Sequence, residues 1–147
     1  MKNNESAAVR ISLIDRSLYY KGLILLIRKD HEIHDQEKKM MMTIGEMLGF
    51  ETKFCAGTIE EILDNQHIID EPPIFSETNI ALCFIRAGLR LSASDGQIHK
   101  DEMAWLEAVA ESNGLSHLWA GELEKFNLGH RIENAENGLE LRNFIWE

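Results

Sequence analysis

The sequence predicts an all-α fold: one domain, a helical bundle of two hairpin repeats related by a pseudo-twofold axis. Three observations carry this reading. The stretch Asp30–Glu37 returns 65 residues later as Asp95–Glu102. Each copy follows an apolar run with helical spacing and opens a second such run. A glycine then closes each second run at the matching place, Gly49 and Gly114. Between Leu26–Phe50 and Leu91–Leu115, seven of 25 positions are identical at this interval, and five of those seven lie at the corner or at the closing glycine. The corner is therefore read as the duplicated unit. The repeats span roughly 12–66 and 76–126 of a single domain over residues 1–147.

Residues 1–8 are polar and expected to fray. A first helix starts between Ala8 and Leu13, with Ser12 and Asp15 as a capping pair, and runs to Lys29. Leu18, Gly22, Leu25 and Leu26 share one face, and Tyr19, Leu23 and Ile27 widen it. A helix this apolar is expected at the centre, packed on more than one side. Arg28 and Lys29 suit the negative end of its dipole. The second helix starts at Asp35 behind an N-cap at His34 and ends near Leu48, with Ile44 and Leu48 inward and Met40–Met42 as adaptable core filler or, less often for such a run, a soft interaction surface.

Glu51–Gly57 reads as a connection, and Thr58 with Glu61 as a capping box opening a short helix to Asn65. Ile68–Pro73 reads as an extended seam, because Pro-Pro cannot continue a helix. Ser76 is expected to cap the next helix, which runs to Ala93 with Cys83, Phe84, Ala87 and Leu91 at helical spacing. The helix after the second corner spans Lys100–Ser112, with Leu106, Val109 and Ala110 inward beside Trp105. Ser116 opens a short helix to Phe126, residues 128–138 form a loop, and Leu139–Trp146 is a closing helix.

With 147 residues, 44% apolar and 27% charged, the chain suits one globular domain. Its formal net charge of −10 argues against duplex nucleic acid, whose binding needs Lys and Arg against phosphates, and suits a cation or a basic partner. Cys55 and Cys83 form no CxxC motif and read as free thiols in a reducing compartment. No secretory signal is visible, and the longest apolar run, Leu23–Ile27, is far too short to span a bilayer. A cytoplasmic location without membrane insertion is expected.

Two readings fit the corners. In the first they are structural: Glu37 and Glu102 stand at the third helical position behind His34 and His99, where a carboxylate reaches back to the N-cap N–H. In the second, Asp30, His34 and Glu37 at one corner and Asp95, His99 and Glu102 at the other ligate a divalent metal ion of unspecified identity. The imidazoles move the choice from Ca²⁺ towards Zn²⁺ or Mn²⁺. The seven-residue Asp-to-Glu interval is not that of an EF-hand. His31 and His34 lack the i, i+4 spacing of a zinc-protease helix. His67, His117 and His130 read as isolated surface residues. No phosphate loop or nucleophile motif stands out.

An apolar helix, then Asp-Gly-x-Ile-x-x-x-Glu, then an amphipathic helix ending in Gly-Leu or Gly-Phe resembles the TerB-like family. That family includes the tellurite-resistance protein TerB and the helical region before the J-domain of membrane-anchored DnaJ-like co-chaperones. The second half matches best, through Asp95, Gly96, Ile98 and Glu102, then Trp105, Leu106, Val109, Ala110 and Gly114-Leu115. The first half carries Asp30, Ile33, Glu37 and Gly49-Phe50. The resemblance implies an all-helical stress-associated domain that in some members binds a divalent metal through acidic residues, here Asp30, Glu37, Asp95 and Glu102. The chain departs from the pattern at His31, in place of the corner glycine, and at His34 and His99, where the family usually has Asp; both changes weaken a hard-cation site. Three functions are carried forward: a TerB-like, non-catalytic domain that binds a divalent metal; a metal-free scaffold docking an unidentified protein partner near Trp119, Phe144 and Trp146; and, ranked last, an enzyme of unspecified chemistry.

Overall fold

The computed structural model describes residues 9–29, 35–65, 71–93, 98–129 and 144–146. In order these form β1 (Val9–Ile11), α1 (Leu13–Arg28), α2 (Asp35–Met47), α3 (Thr52–Asp64), α4 (Thr78–Ser92), α5 (Lys100–Ser112), α6 (Ser116–Gly129) and β2 (Phe144–Trp146). The molecule is a helical bundle, and no described helix is long and apolar enough to cross a membrane.

Helix α1 is the axis, as its all-round apolar surface requires. It packs against α2, α3, α4 and α5, and ten of its residues are buried. Ser12 caps it by accepting the Asp15 N–H at 3.2 Å. Arg28 stands in the last turn of α1, as expected, and also donates to the carbonyls of Ile62 and Asn65 at 2.9 and 3.0 Å, closing the C-terminus of α3. Buried Tyr19 and Phe84 meet edge to face at the centre, with ring centroids 5.4 Å apart. Cys55 and Cys83 are buried thiols, neither in a disulfide. Of the methionine run, Met41 is fully buried, and Met40 and Met42 pack partly buried on the core.

Helices α2 and α5 end alike. Gly49 and Gly114 take φ of +88° and +74°, a conformation only glycine adopts cheaply. The following N–H reaches back five residues, Phe50 to Gly45 at 2.9 Å and Leu115 to Ala110 at 2.7 Å, satisfying carbonyls the helix leaves open.

Four expectations are corrected. Helix α3 starts at Thr52, so Glu51–Gly57 is not a connection, and Thr58 sits inside the helix. Its hydroxyl-bearing side chain is buried on the same face as Cys55, Ile59 and Ile62; burial of that face outweighs the cost of Gly57, about 1 kcal/mol in a helix interior. Ser76 does not cap α4. Its N–H and hydroxyl both donate to the carboxylate of buried Asp15, and the N-cap is Glu77. Helix α6 runs on to Gly129, so residues 128 and 129 are helical. Phe144–Trp146 is a strand rather than part of a closing helix: it pairs in parallel with Val9–Ile11, in the register Val9 to Phe144 and Ile11 to Trp146. Aromatic and β-branched residues suit that extended pairing. The fraying expected at 1–8, the 68–70 part of the seam, the 130–138 part of the loop and residues 139–143 lie outside the described residues.

On the second-half surface Arg86 of α4 grips Glu122 of α6 with two hydrogen bonds, 2.9 and 3.1 Å. These bonds hold the Glu122 carboxyl below its ordinary value of 4.5; burial opposes them, and the Arg86 and Lys125 charges add to them. A carboxyl lowered in the folded state contributes stability that is complete above its unfolded value and is lost as pH falls through the folded one. Glu122→Gln is therefore expected to destabilise at pH 7 by about 1 kcal/mol. The difference from wild type should shrink as pH drops below about 4.5. Urea denaturation of both proteins at a series of pH values checks this; a difference that is constant with pH would contradict it.

Candidate functional site at the helix corners

Of the six residues expected to bind metal, Glu37, His99 and Glu102 are described; Asp30, His34 and Asp95 lie outside the described residues. Glu37 opens α2 and Glu102 opens α5, each as the third residue of its helix. Both carboxylates are fully buried (0% exposed). Burying a carboxylate is costly unless hydrogen bonds and local charge compensate. At α5 the compensation is visible: Glu102 Oε1 accepts the N–H of the N-cap, His99, at 3.0 Å. The positive end of the helix dipole adds to it. This is the capping geometry expected from the sequence for that corner. The partner expected for Glu37, the N–H of His34, is outside the described residues.

Around the second corner the indole of Trp105 is buried against Phe84, with centroids 6.0 Å apart, and Lys29 Nζ from the end of α1 lies 5.7 Å from the Trp105 ring. The end of α1 thus lies against α5.

Carboxylate oxygens are proper ligands for a divalent ion. Among the described residues, however, no three His, Cys, Asp or Glu side chains gather closely enough to hold one. Replacing Glu102 separates the structural part of its role. Glu102→Ala removes the acceptor and is expected to cost about 1–2 kcal/mol in urea denaturation, whereas Glu102→Gln keeps an acceptor for the His99 N–H and should cost clearly less. Equal losses would mean that charge, not the hydrogen bond, is what the corner uses.

A second feature was not read from the sequence. A groove of about 650 Å³ lies between α1, α3 and residues 71–73. Leu18, Leu25, Ile62 and Pro73 form its apolar lining, and Lys21, Glu61 and Glu71 its charged rim. Phe54 stands at its edge, 47% exposed. The meeting of α1, α3 and residues 71–73 creates it, and no local pattern in the sequence shows that meeting. Of the aromatics expected to form an interaction patch, Trp119 is partly buried against the core; the side chains of Phe144 and Trp146 lie outside the described part. Comparison with protein-family models, curated proteins and solved structures gives no match to this chain.

Proposed function

We propose that this chain is a non-catalytic, cytoplasmic TerB-like domain of the stress- and tellurite-resistance type, in which two pseudo-twofold-related repeats present acidic corners to a divalent metal ion. The observation that supports it is the agreement of the halves at one interval. The buried residues Glu37, Met41, Ile44 and Gly45 of α2 recur 65 positions on as buried Glu102, Leu106, Val109 and Ala110 of α5. Helices α2 and α5 begin and end 65 residues apart. The packing is reciprocal as well: α1 meets α5 as α4 meets α2, and α1 meets α3 as α4 meets α6. Duplication that retains a buried acid at both corners is economical if those acids serve one shared role.

Titration calorimetry of metal-free protein with Ca²⁺, Mn²⁺ and Zn²⁺ tests the metal. Saturable heat that falls at least about tenfold in affinity in Glu37→Gln/Glu102→Gln is expected. Absence of heat and of any thermal shift with all three ions would remove the metal and leave the corners as caps.

A second reading, a metal-free scaffold that docks a protein partner, is favoured by the groove between α1 and α3. Its test is whether the chain captures a partner in the presence of chelator.

A further inference from the structure

We infer that the groove between α1 and α3 docks a basic amphipathic helix of a partner protein. The inference rests on the scaffold reading and is independent of metal at the corners.

The two halves show why the groove is open. The inward faces of α3 and α6 correspond at an interval of 64: Cys55 with Trp119, Thr58 with Glu122, Ile59 with Leu123 and Ile62 with Phe126. Helices α1 and α4 correspond at 65, which matches Lys21 with Arg86. In the second half Arg86 and Glu122 bridge the surface between α4 and α6. In the first half Thr58 stands in place of the acid, and Lys21 and Thr58 both line the groove.

The size suits one helix face. The groove follows α1 from Ser17 to Leu25, about 12 Å or two helical turns. Its volume lies within the range of ordinary ligand sites. An apolar floor of this length takes anchors at i, i+4 and i+7 of an incoming helix. The exposed ring of Phe54 offers the edge of that floor an aromatic contact.

Charge selects the partner. The rim carries Glu61 and Glu71 against Lys21, and all three are exposed. The chain as a whole carries −10. Both terms favour a segment whose polar flanks are Lys and Arg, through contact at the rim and through steering at long range.

The probe is a synthetic amphipathic helix of about 16 residues with Leu and Phe anchors and Lys flanks, together with its Glu-flanked counterpart. Binding is followed by fluorescence anisotropy in chelator. Saturable binding of the Lys peptide is expected, with the Glu peptide at least about tenfold weaker. Glu61→Lys/Glu71→Lys should weaken the Lys peptide about tenfold, while Glu46→Lys/Glu124→Lys, exposed on α2 and α6, should leave it nearly unchanged. Thr58→Glu is the sharper variant. It adds negative charge, so diffuse attraction would strengthen binding, but it gives Lys21 the acid that Arg86 has in Glu122, and a bridge across the groove should weaken binding by at least about tenfold.

Four results would overturn the proposal: no saturable binding to about 1 mM, equal losses from rim and distal variants, tighter binding of the Glu peptide, or tighter binding after Thr58→Glu. A concentration-dependent dimer of the protein alone that Thr58→Glu dissociates would assign the groove to a second copy and likewise overturn it. None of these results bears on the calorimetry at the corners.

Discussion

Phe84→Ala is expected to destabilise the protein by about 3–5 kcal/mol, the range for emptying a fully buried aromatic site. Phe84 is the hub at which α1, α4, α5 and the segment before α4 meet. Its ring lies 5.4 Å from both Tyr19 and Phe75 and 6.0 Å from Trp105, centroid to centroid. Gly22 of α1 approaches so closely that a methyl group there would stand 2.9 Å from the Phe84 ring. Neighbours held this tightly on several elements cannot collapse into the space left behind, so the cavity cost adds to the lost transfer energy. Against a typical total of about 5–15 kcal/mol, the variant is left marginal, with a melting temperature lower by about 10 °C or more. Urea denaturation checks the size of the effect, with an unchanged slope expected if the two-state transition survives. A loss below about 1.5 kcal/mol would mean that the aromatic cluster repacks freely.

Gly45→Ala is expected to destabilise by about 1–3 kcal/mol, although alanine is the better helix former by about 1 kcal/mol. A methyl group at residue 45 would collide with the Sγ of Cys55 on α3 and stand 3.1 Å from the Tyr20 ring. Neither neighbour gives way easily. Cys55 is short and buried, and the Tyr20 hydroxyl is tied to the Met41 carbonyl at 3.1 Å. Burial and the contact with Cys55 push the Tyr20 hydroxyl well above its ordinary pKa, so it remains a neutral donor throughout the working range. In a Cys55→Ala background the same substitution should cost much less, a coupling that a double-mutant cycle reads directly. Additive losses would show that the ring of Tyr20, not the thiol, is the obstacle.

What could be read from the chain was what neighbouring residues decide among themselves. The start of α5 at Lys100, the reach of Glu102 to the His99 N–H, the Ser12 cap and the two left-handed glycines follow from residues within a few positions of each other. The buried faces of α4 and α5 followed from spacing alone. The readings that failed were decided by distant residues. Thr58 with Glu61 has the form of a helix start, yet Thr58 is buried on the core face inside α3. Ser76 has the form of a cap, yet Asp15, 61 residues earlier, takes both of its donors. The groove and the Arg86–Glu122 bridge depend on which helices meet, which no local pattern encodes. Of the six corner residues, Glu102 and His99 form the local geometry expected of them.

The pairing of β1 with β2 has a mechanical consequence. The two strands come from opposite ends of the described chain and run the same way, Val9 beside Phe144 and Ile11 beside Trp146. Tension drawn backwards on the first and forwards on the second slides them along each other in shear. The hydrogen bonds between them then share the force instead of parting one at a time as in a zipper. A clasp of three residues on each side thereby shields the helices behind it from a pull on the polypeptide until the clasp itself yields.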